Sequence, residues 1–208
     1  MSITLLEFVF VSLVFLVPNR PAFQHVPLAV AITQAVEEND PLFKDDGPTT
    51  VDGVELPAKA KTAALMAAIS YKESTARPRA SGDCRGLPAG SPACTPEKAR
   101  SFGAFQQWIE PGARSRSGLK GIDLLERADL QAKDAIAMLH ESFHACREYP
   151  VAWYAHGNNA REACEDKRSQ MISNDRLWRA REARKGVVQL LRSATDLRAA
   201  YTSTPQSP

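Results

Sequence analysis

The sequence predicts a mainly α-helical domain, and three observations support this fold class. Apolar residues recur at helical spacing in three long segments. Strict alternation of apolar and polar residues is almost absent, and the chain has no Asn-Gly hairpin turn. Its 208 residues are enough for one well-buried domain plus a leader and are short for two full domains. We therefore expect a single helical domain.

The first 31 residues are predicted to be an export signal or a weak membrane anchor. The apolar run at residues 8–17 is too short to span a bilayer comfortably and is similar to the hydrophobic region of a secretion signal. Ala29-Val30-Ala31 then offers a small-x-small cleavage site. The prediction is an exported protein, periplasmic or extracellular, whose N-terminus associates weakly with membranes.

Two segments are predicted to lie outside the folded domain. Residues 32–56 are interpreted as a linker, because they are acidic and contain the turn formers Asp40-Pro41 and Asp46-Gly47-Pro48. Residues 201–208 are rich in Ser, Thr and Pro and are interpreted as a flexible tail.

The domain is predicted over residues 57–200 and contains three main helices. They span about residues 57–74, 124–146 and 178–200. Pro57 suits the first turn of the first helix. Thr95-Pro96-Glu97 also has the residues of a helix start, with Thr95 as the cap and the proline in the first position.

Four cysteines support the exported location. Cys84 and Cys94 flank a segment of Arg, Gly, Pro and Ser, and Cys146 and Cys164 flank a second irregular segment. Four cysteines allow three pairings, and proximity favours 84–94 with 146–164. No Cys-x-x-Cys pair occurs, so a cysteine zinc site is not expected.

The charge balance argues against a nucleic-acid partner. The formal net charge is +2, whereas a protein that tracks phosphates has a strong basic surplus. The basic residues around 179–192 are interpreted as a solvated helix face. A monomer without cofactor is expected.

The candidate catalytic group is Glu73, in Tyr71-Lys72-Glu73-Ser74 at the end of the first domain helix. Burial disfavours an ionised carboxylate, so an acid among apolar neighbours can carry a proton to a glycosidic oxygen near neutral pH. The alternative is an exposed acid at a helix end, as most glutamates are solvated.

Three motifs in order resemble the lysozyme-like lytic transglycosylases related to goose-type lysozyme. They are Glu73-Ser74, then Ser101-x-Gly103-x-Phe105-Gln106, then Trp153-Tyr154-Ala155-His156-Gly157. The family has Glu-Ser, Ser-x-Gly-Leu-Met/Phe-Gln and Tyr-Asn-x-Gly at these places, so Ala104 replaces a Leu and Ala155 an Asn. The resemblance implies a lysozyme-like helical domain in which the segment between Cys84 and Cys94 is a disulfide-bounded loop insertion.

The resemblance also implies an activity and a site. The substrate would be peptidoglycan, cut at the β-1,4 link between N-acetylmuramic acid and N-acetylglucosamine by Glu73 as general acid and then base. The family uses one acid, and the sugar's own N-acetyl group and 6-hydroxyl complete the reaction to an anhydro-sugar. Substrate contacts are expected from Ser74, Ser101, Gly103, Phe105, Gln106 and Tyr154. Gly103 would let backbone approach the sugar, and Tyr154 would orient Glu73.

Several residues have more ordinary interpretations beside these roles. Ser101 and Gln106 could equally satisfy a turn, and Phe105 and Trp108 fit an apolar core better than a sugar-stacking role. Asp83, the nearest downstream acid, is interpreted as a turn former.

Two other functions remain as alternatives. His140-Glu141-Ser142-Phe143-His144 matches the His-Glu-x-x-His pattern of zinc peptidases, with Glu162 or Glu165 as a third ligand. The apolar stripe of a core helix runs through the same segment, and no strand layer is predicted beside it. A non-catalytic wall-binding module is the other alternative, favoured if Glu73 is exposed and remote from Tyr154.

Overall fold

The computed structural model describes residues 1–84, 86–88, 91, 93–156 and 160–203, with the side chains of residues 160, 161 and 195–203 outside the description. It confirms the mainly helical prediction, because 56% of the described residues are helical and they form eight α-helices. The helices are α1 (Leu5–Leu16), α2 (Val26–Glu38), α3 (Ala60–Ser74), α4 (Gly121–Leu124), α5 (Ala128–Ala145), α6 (Ala152–His156), α7 (Ala160–Glu165) and α8 (Lys167–Ser203). The strands are β1 (Thr49–Val51), β2 (Val54–Leu56), β3 (Ser81–Gly82), β4 (Ser101–Phe102) and β5 (Gln107–Trp108).

Helix α3 lies at the centre of the core. Every residue from Ala63 to Ile69 is fully buried, and the many alanines allow neighbouring helices to approach closely. Helix α3 packs against α8, α1 and α2, and α2 packs along α5. Helix α3 ends because Thr75 and Ala76 both take left-handed backbone conformations, each with φ of 57°. This central helix therefore holds Glu73 in a fixed place at its end.

The structure differs from the prediction for residues 1–31, which form part of the domain core. Phe8, Val9 and Leu13 on α1 are fully buried, and the Thr4 hydroxyl accepts from the Glu7 N–H in a capping box. The small-x-small site lies within α2, where Ala29 is fully buried. An apolar helix can be covered by other helices as well as by a membrane, and α1 packs against α2, α3 and α8. No helix in the described residues is long and apolar enough to cross a membrane.

The segment predicted as a linker, residues 32–56, also packs on the domain. It holds the second half of α2 and the β1–β2 antiparallel hairpin. Asp46, in its turn-rich part, is buried and accepts from the backbone N–H groups of Lys61 and Thr62 at 2.7 and 2.8 Å. The first N–H groups of a helix need such partners. Asp46, in the turn-rich part of this segment, therefore caps α3.

Arg20, in the connection between α1 and α2, fixes the other end of α3. Its guanidinium donates to the carbonyl oxygens of Thr75 and Ala76, both at 2.6 Å. These two residues follow Glu73 closely in the chain, so the N-terminal region helps to set the position of the candidate acid.

The remaining boundaries agree with the sequence only in part. Helix α5 falls within the predicted segment 124–146, whereas α8 begins at Lys167, well before residue 178. Thr95-Pro96-Glu97 begins a turn instead of a helix. Residues 201–203 continue α8, and 204–208 lie outside the described residues. The strands β3, β4 and β5 form a small antiparallel sheet that the sequence does not indicate, since each has two residues.

Both predicted disulfides are confirmed. Cys84 pairs with Cys94 and Cys146 with Cys164, with Cα–Cα distances of 5.5 and 5.2 Å. Each closes a short loop, which typically stabilises a domain by about 2–4 kcal/mol.

Candidate active site

A cleft of about 470 Å³ opens at the end of α3. One wall comes from the loop and strand that follow β4, and the other from α5 and α6. The cleft is lined by Glu73, Asp83, Phe105, Gln106, Gln107, Trp108, Met138, Tyr154, Ala155 and His156. The three motifs that resemble the lytic transglycosylases therefore contribute to one cavity.

The carboxylate of Glu73 is paired with an arginine that no sequence motif singles out. Arg176 of α8 donates from Nη2 to Glu73 Oε1 at 2.8 Å, and the two side chains are 11% and 25% exposed. A hydrogen bond from a guanidinium to a carboxylate is directional, so it fixes the orientation of the carboxyl group. Glu73 is thus partly buried, as expected, but it is not an isolated acid among apolar groups.

A second carboxylate holds Arg176 in place. Arg176 Nη1 donates to Asp175 Oδ2 at 2.7 Å, and Lys72 Nζ lies 3.2 Å from the same oxygen. Burial alone would raise the pKa of Asp175, but hydrogen bonds from Lys72 and Arg176 outweigh it and lower that pKa. The network links Lys72 and Glu73, in the last turn of α3, to Asp175 and Arg176 of α8.

Tyr154 lies close to Glu73 but bonds to a different group. Its hydroxyl donates to the carbonyl oxygen of Phe105 at 2.9 Å. Burial, and secondly the nearby Glu73 charge, raise the pKa of Tyr154 well above its usual range. The phenol therefore stays neutral and can donate a hydrogen bond. The hydrogen bond from Tyr154 to Phe105 joins α6 to the opposite wall of the cleft.

Ser74 connects the end of α3 to the second motif. Its hydroxyl donates to the carbonyl oxygen of Ala104 at 2.8 Å and accepts from the Arg77 N–H at 2.9 Å. Ser74 is 5% exposed and is not part of the cleft lining. Its position is that of a structural link, in contrast to the expected substrate contact.

Ser101, Gln106 and Asp83 form a polar cluster beside the cleft, in which Gln106 and Asp83 line the cavity and Ser101, 1% exposed, does not, in contrast to its expected substrate contact. The Ser101 hydroxyl donates to Asp83 Oδ2 at 2.6 Å and lies 2.8 Å from Gln106 Oε1. Gln106 Nε2 donates to the carbonyl oxygen of Gly103 at 2.9 Å. Asp83 and Gln106 have φ of 53° and 46°. The turn-former interpretation of Asp83 fits this backbone, yet its side chain also lines the cleft.

Gly103 and Phe105 face the protein interior more than the cleft. Gly103 is buried with φ of 80°, and a Cβ there would meet Gln131 at 2.4 Å. Gln131 accepts from the Ala104 N–H at 2.8 Å and donates to the carbonyl oxygens of Pro78 and Leu124. The missing side chain leaves room for this amide. Phe105 is 1% exposed and belongs to the main core, although it touches the cleft.

Trp108 is expected from the sequence to lie in the apolar core, and this interpretation is wrong. Its side chain is 48% exposed and lines the cleft. His156 is likewise exposed and lines the cleft. Gly157, the last residue of the third motif, lies outside the described residues.

The zinc-peptidase pattern does not form a ligand cluster in the described part of the chain. His140 is half-buried and His144 exposed on α5, and Glu141 pairs with Arg116 at 2.5 Å. No three His, Cys, Asp or Glu side chains among the described residues are grouped so that they could hold one metal ion.

No family model matches the chain, and comparison with curated proteins and with solved structures gives no match. The interpretation of the site therefore rests on its own geometry and on the motif resemblance.

The packing of Gly103 leads to a testable expectation for stability. Gly103→Ala should destabilise the protein by about 2–4 kcal/mol, because it combines a strained backbone with a clash against Gln131. Gly112 has a similar φ of 83°, and a Cβ added there would meet nothing within 4 Å. Gly112→Ala should therefore lose only about 1 kcal/mol. Urea unfolding of both variants measures the difference, and equal losses would show that contact with Gln131 is unimportant.

Proposed function

We propose that the protein is a peptidoglycan lytic transglycosylase with a lysozyme-like fold that cleaves the β-1,4 bond between N-acetylmuramic acid and N-acetylglucosamine. The main observation in support is that Glu73, at the end of the buried helix α3, faces a cleft whose walls come from the other two motifs. A wall-binding module would be favoured by an exposed Glu73 that is remote from Tyr154, whereas Glu73 is 25% exposed and lines the same cleft as Tyr154.

In the proposed reaction Glu73 first donates one proton and later accepts one. Protonated Glu73 first gives its proton to the oxygen of the leaving N-acetylglucosamine, and the glycosidic C–O bond breaks. The N-acetyl group of the muramic acid stabilises the positive charge that develops at the anomeric carbon. The 6-hydroxyl of the same sugar then attacks that carbon, and its proton returns to the Glu73 carboxylate. The product is a 1,6-anhydro-sugar, and no water is consumed.

Arg176 has a role in this sequence that follows from its position. The carboxylate of Glu73 forms when the proton leaves, and Arg176 at 2.8 Å stabilises the negative charge at that moment. The same contact fixes the direction of the carboxyl group, so Arg176 is a positioning residue for the acid. Tyr154, with its hydroxyl bonded to Phe105, fixes the opposite wall.

Asp83 provides a second carboxylate in the cleft besides Glu73, and its presence defines the experiment that tests the proposal. Asp83 lines the same cavity as Glu73, but its carboxylate accepts from Ser101. Mass spectrometry of digested peptidoglycan should find anhydro-muramyl ends. Reducing ends would indicate hydrolysis, with Asp83 as the group to activate water. Absence of any released fragment would contradict glycan cleavage altogether.

The proposed substrate lies outside the cytoplasm. Two disulfides are consistent with an exported protein, since such bonds persist mainly in oxidising compartments. We propose a periplasmic or extracellular location on these grounds.

Chelation separates the proposed function from a zinc peptidase. We expect glycan cleavage to persist in the presence of EDTA and in the variant His144→Ala, because His144 is exposed on α5 and is not part of the cleft lining. The measurement is muropeptide release with and without chelator, together with a peptide-hydrolysis assay. Peptidase activity that EDTA and His144→Ala both abolish would establish a metal site in place of glycan cleavage.

A further inference from the structure

Trp108 is an exposed aromatic side chain at the cleft, and Glu110 and Arg100 both contact it. It ends β5, two positions beyond Gln106, and 48% of its surface is exposed. Its indole N–H donates to Glu110 Oε1 at 2.9 Å. The guanidinium of Arg100 lies 5.6 Å from the ring centroid and 3.6 Å from the other Glu110 oxygen. The polar edge and one face of the indole are therefore already occupied.

Arg100 covers one face of the Trp108 ring and leaves the other open. Trp108 is part of the cleft lining and Arg100 is not, which is the arrangement expected if the guanidinium braces the indole from the side away from the cavity. A braced side chain loses little freedom when a ligand packs on it, and this saves part of the entropy that binding otherwise loses. The arrangement favours recognition of a flat apolar surface.

Polar groups surround this apolar face within the same cavity. Asp83, Gln106 and His156 also line the cleft, and Glu73 lies among them. A pyranose ring has the matching chemistry, because one face presents C–H groups and its rim presents hydroxyl and acetamido groups. Apolar walls with a few placed polar groups are typical of small-ligand sites.

We propose that Trp108 is the stacking platform of a sugar subsite that holds one N-acetylhexosamine ring of the glycan next to Glu73. This inference rests on the proposed function and assigns the substrate-binding wall of the same cleft. Arg100 and Glu110 act through Trp108 as positioning residues.

The chain offers a matched control in Trp178. Trp178 is 49% exposed and also has an arginine over its ring, with Arg179 4.7 Å from the centroid. It lies on α8 and is not part of the cleft lining. The two tryptophans thus share exposure and cation contact and differ in their relation to the cleft.

Binding is best measured in the full-length Glu73→Gln variant, which removes turnover. The probe is the tetramer of N-acetylglucosamine, titrated calorimetrically. Trp108→Ala in this background should weaken binding about tenfold, Trp108→Phe should weaken it less, and Trp178→Ala should leave it unchanged. The indole N–H resonance of Trp108 is the one that Trp108→Phe removes from the NMR spectrum of Glu73→Gln. This resonance should shift when the Glu73→Gln variant is saturated with the tetramer.

The possible failures are distinguishable. If the tetramer binds Trp108→Ala and Trp178→Ala equally well and the Trp108 resonance does not shift, the platform is wrong, while muropeptide release by the native protein still supports the proposed function. If neither tetramer binding nor muropeptide release is found, both are wrong. Partial rescue by Trp108→Phe supports stacking, because a smaller aromatic ring retains part of the face.

Discussion

Replacement of Glu73 by glutamine is expected to abolish glycan cleavage while the fold and glycan binding remain. Glutamine keeps the shape of the side chain, and its carbonyl oxygen can still accept from Arg176 Nη2, which lies 2.8 Å from Glu73 Oε1. What it lacks is the proton that the leaving oxygen needs. Assistance of this kind is typically worth about 10²- to 10⁴-fold in rate. Muropeptide release, thermal unfolding and binding to insoluble peptidoglycan measure the three properties separately.

Glu141→Gln is the control for this substitution. Glu141 also pairs with an arginine, Arg116 at 2.5 Å, and it is the acid of the His-Glu-x-x-His pattern. It should retain full glycan cleavage. Tyr154→Phe should lose less than Glu73→Gln, because it removes only the hydrogen bond to Phe105. An active Glu73→Gln variant beside an inactive Glu141→Gln variant would overturn the assignment of the acid.

The second large effect concerns stability, and it comes from the N-terminal helix. Phe8 on α1 is fully buried among the core helices. Truncation of a buried phenylalanine to alanine typically destabilises a domain by about 3–5 kcal/mol, through lost burial and the cavity that remains. Because whole domains are stable by only about 5–15 kcal/mol, Phe8→Ala should shift urea unfolding of the full chain to much lower concentration or prevent folding.

Phe23→Ala provides the matched comparison within the same segment. Phe23 is 72% exposed, so its truncation should change the free energy of unfolding by no more than about 0.5 kcal/mol. If Phe8→Ala and Phe23→Ala unfolded alike, the first 31 residues would not be part of the folded domain in solution. The export-signal interpretation would then describe them better than the core helix does.

The sequence predicts the parts of the structure that are determined by residues close together in the chain. Helix α3 follows from its run of alanines and apolar residues, and the disulfides follow from short cysteine spacing. The structure buries the N-terminal residues in the domain core, which the sequence does not indicate, because an apolar stretch has the same appearance whether lipid or protein covers it. Only the packing of α1 on α3 and α8 distinguishes the two cases.

The site is predictable where its residues are close in sequence and not where it depends on long-range pairing. Glu73 and Tyr154 stand in recognisable motifs. Arg176 lies in a basic helix whose arginines look alike in sequence, and nothing local marks which one reaches Glu73. A core position is expected for Trp108 because large aromatic residues are usually buried, and nothing local in the sequence marks its contacts with Arg100 and Glu110 at the cleft.

The distance along the chain between Glu73 and Arg176, 103 residues, has a consequence for biosynthesis. A ribosome releases the chain from its N-terminus, so Glu73 emerges long before the arginine that positions it. Until α8 has emerged, α3 can pack only against α1 and α2 among the helices that contact it most. The cleft with its positioned acid therefore requires the chain as far as Arg176, and a nascent or truncated chain that ends before Lys167 lacks the group that directs its acid.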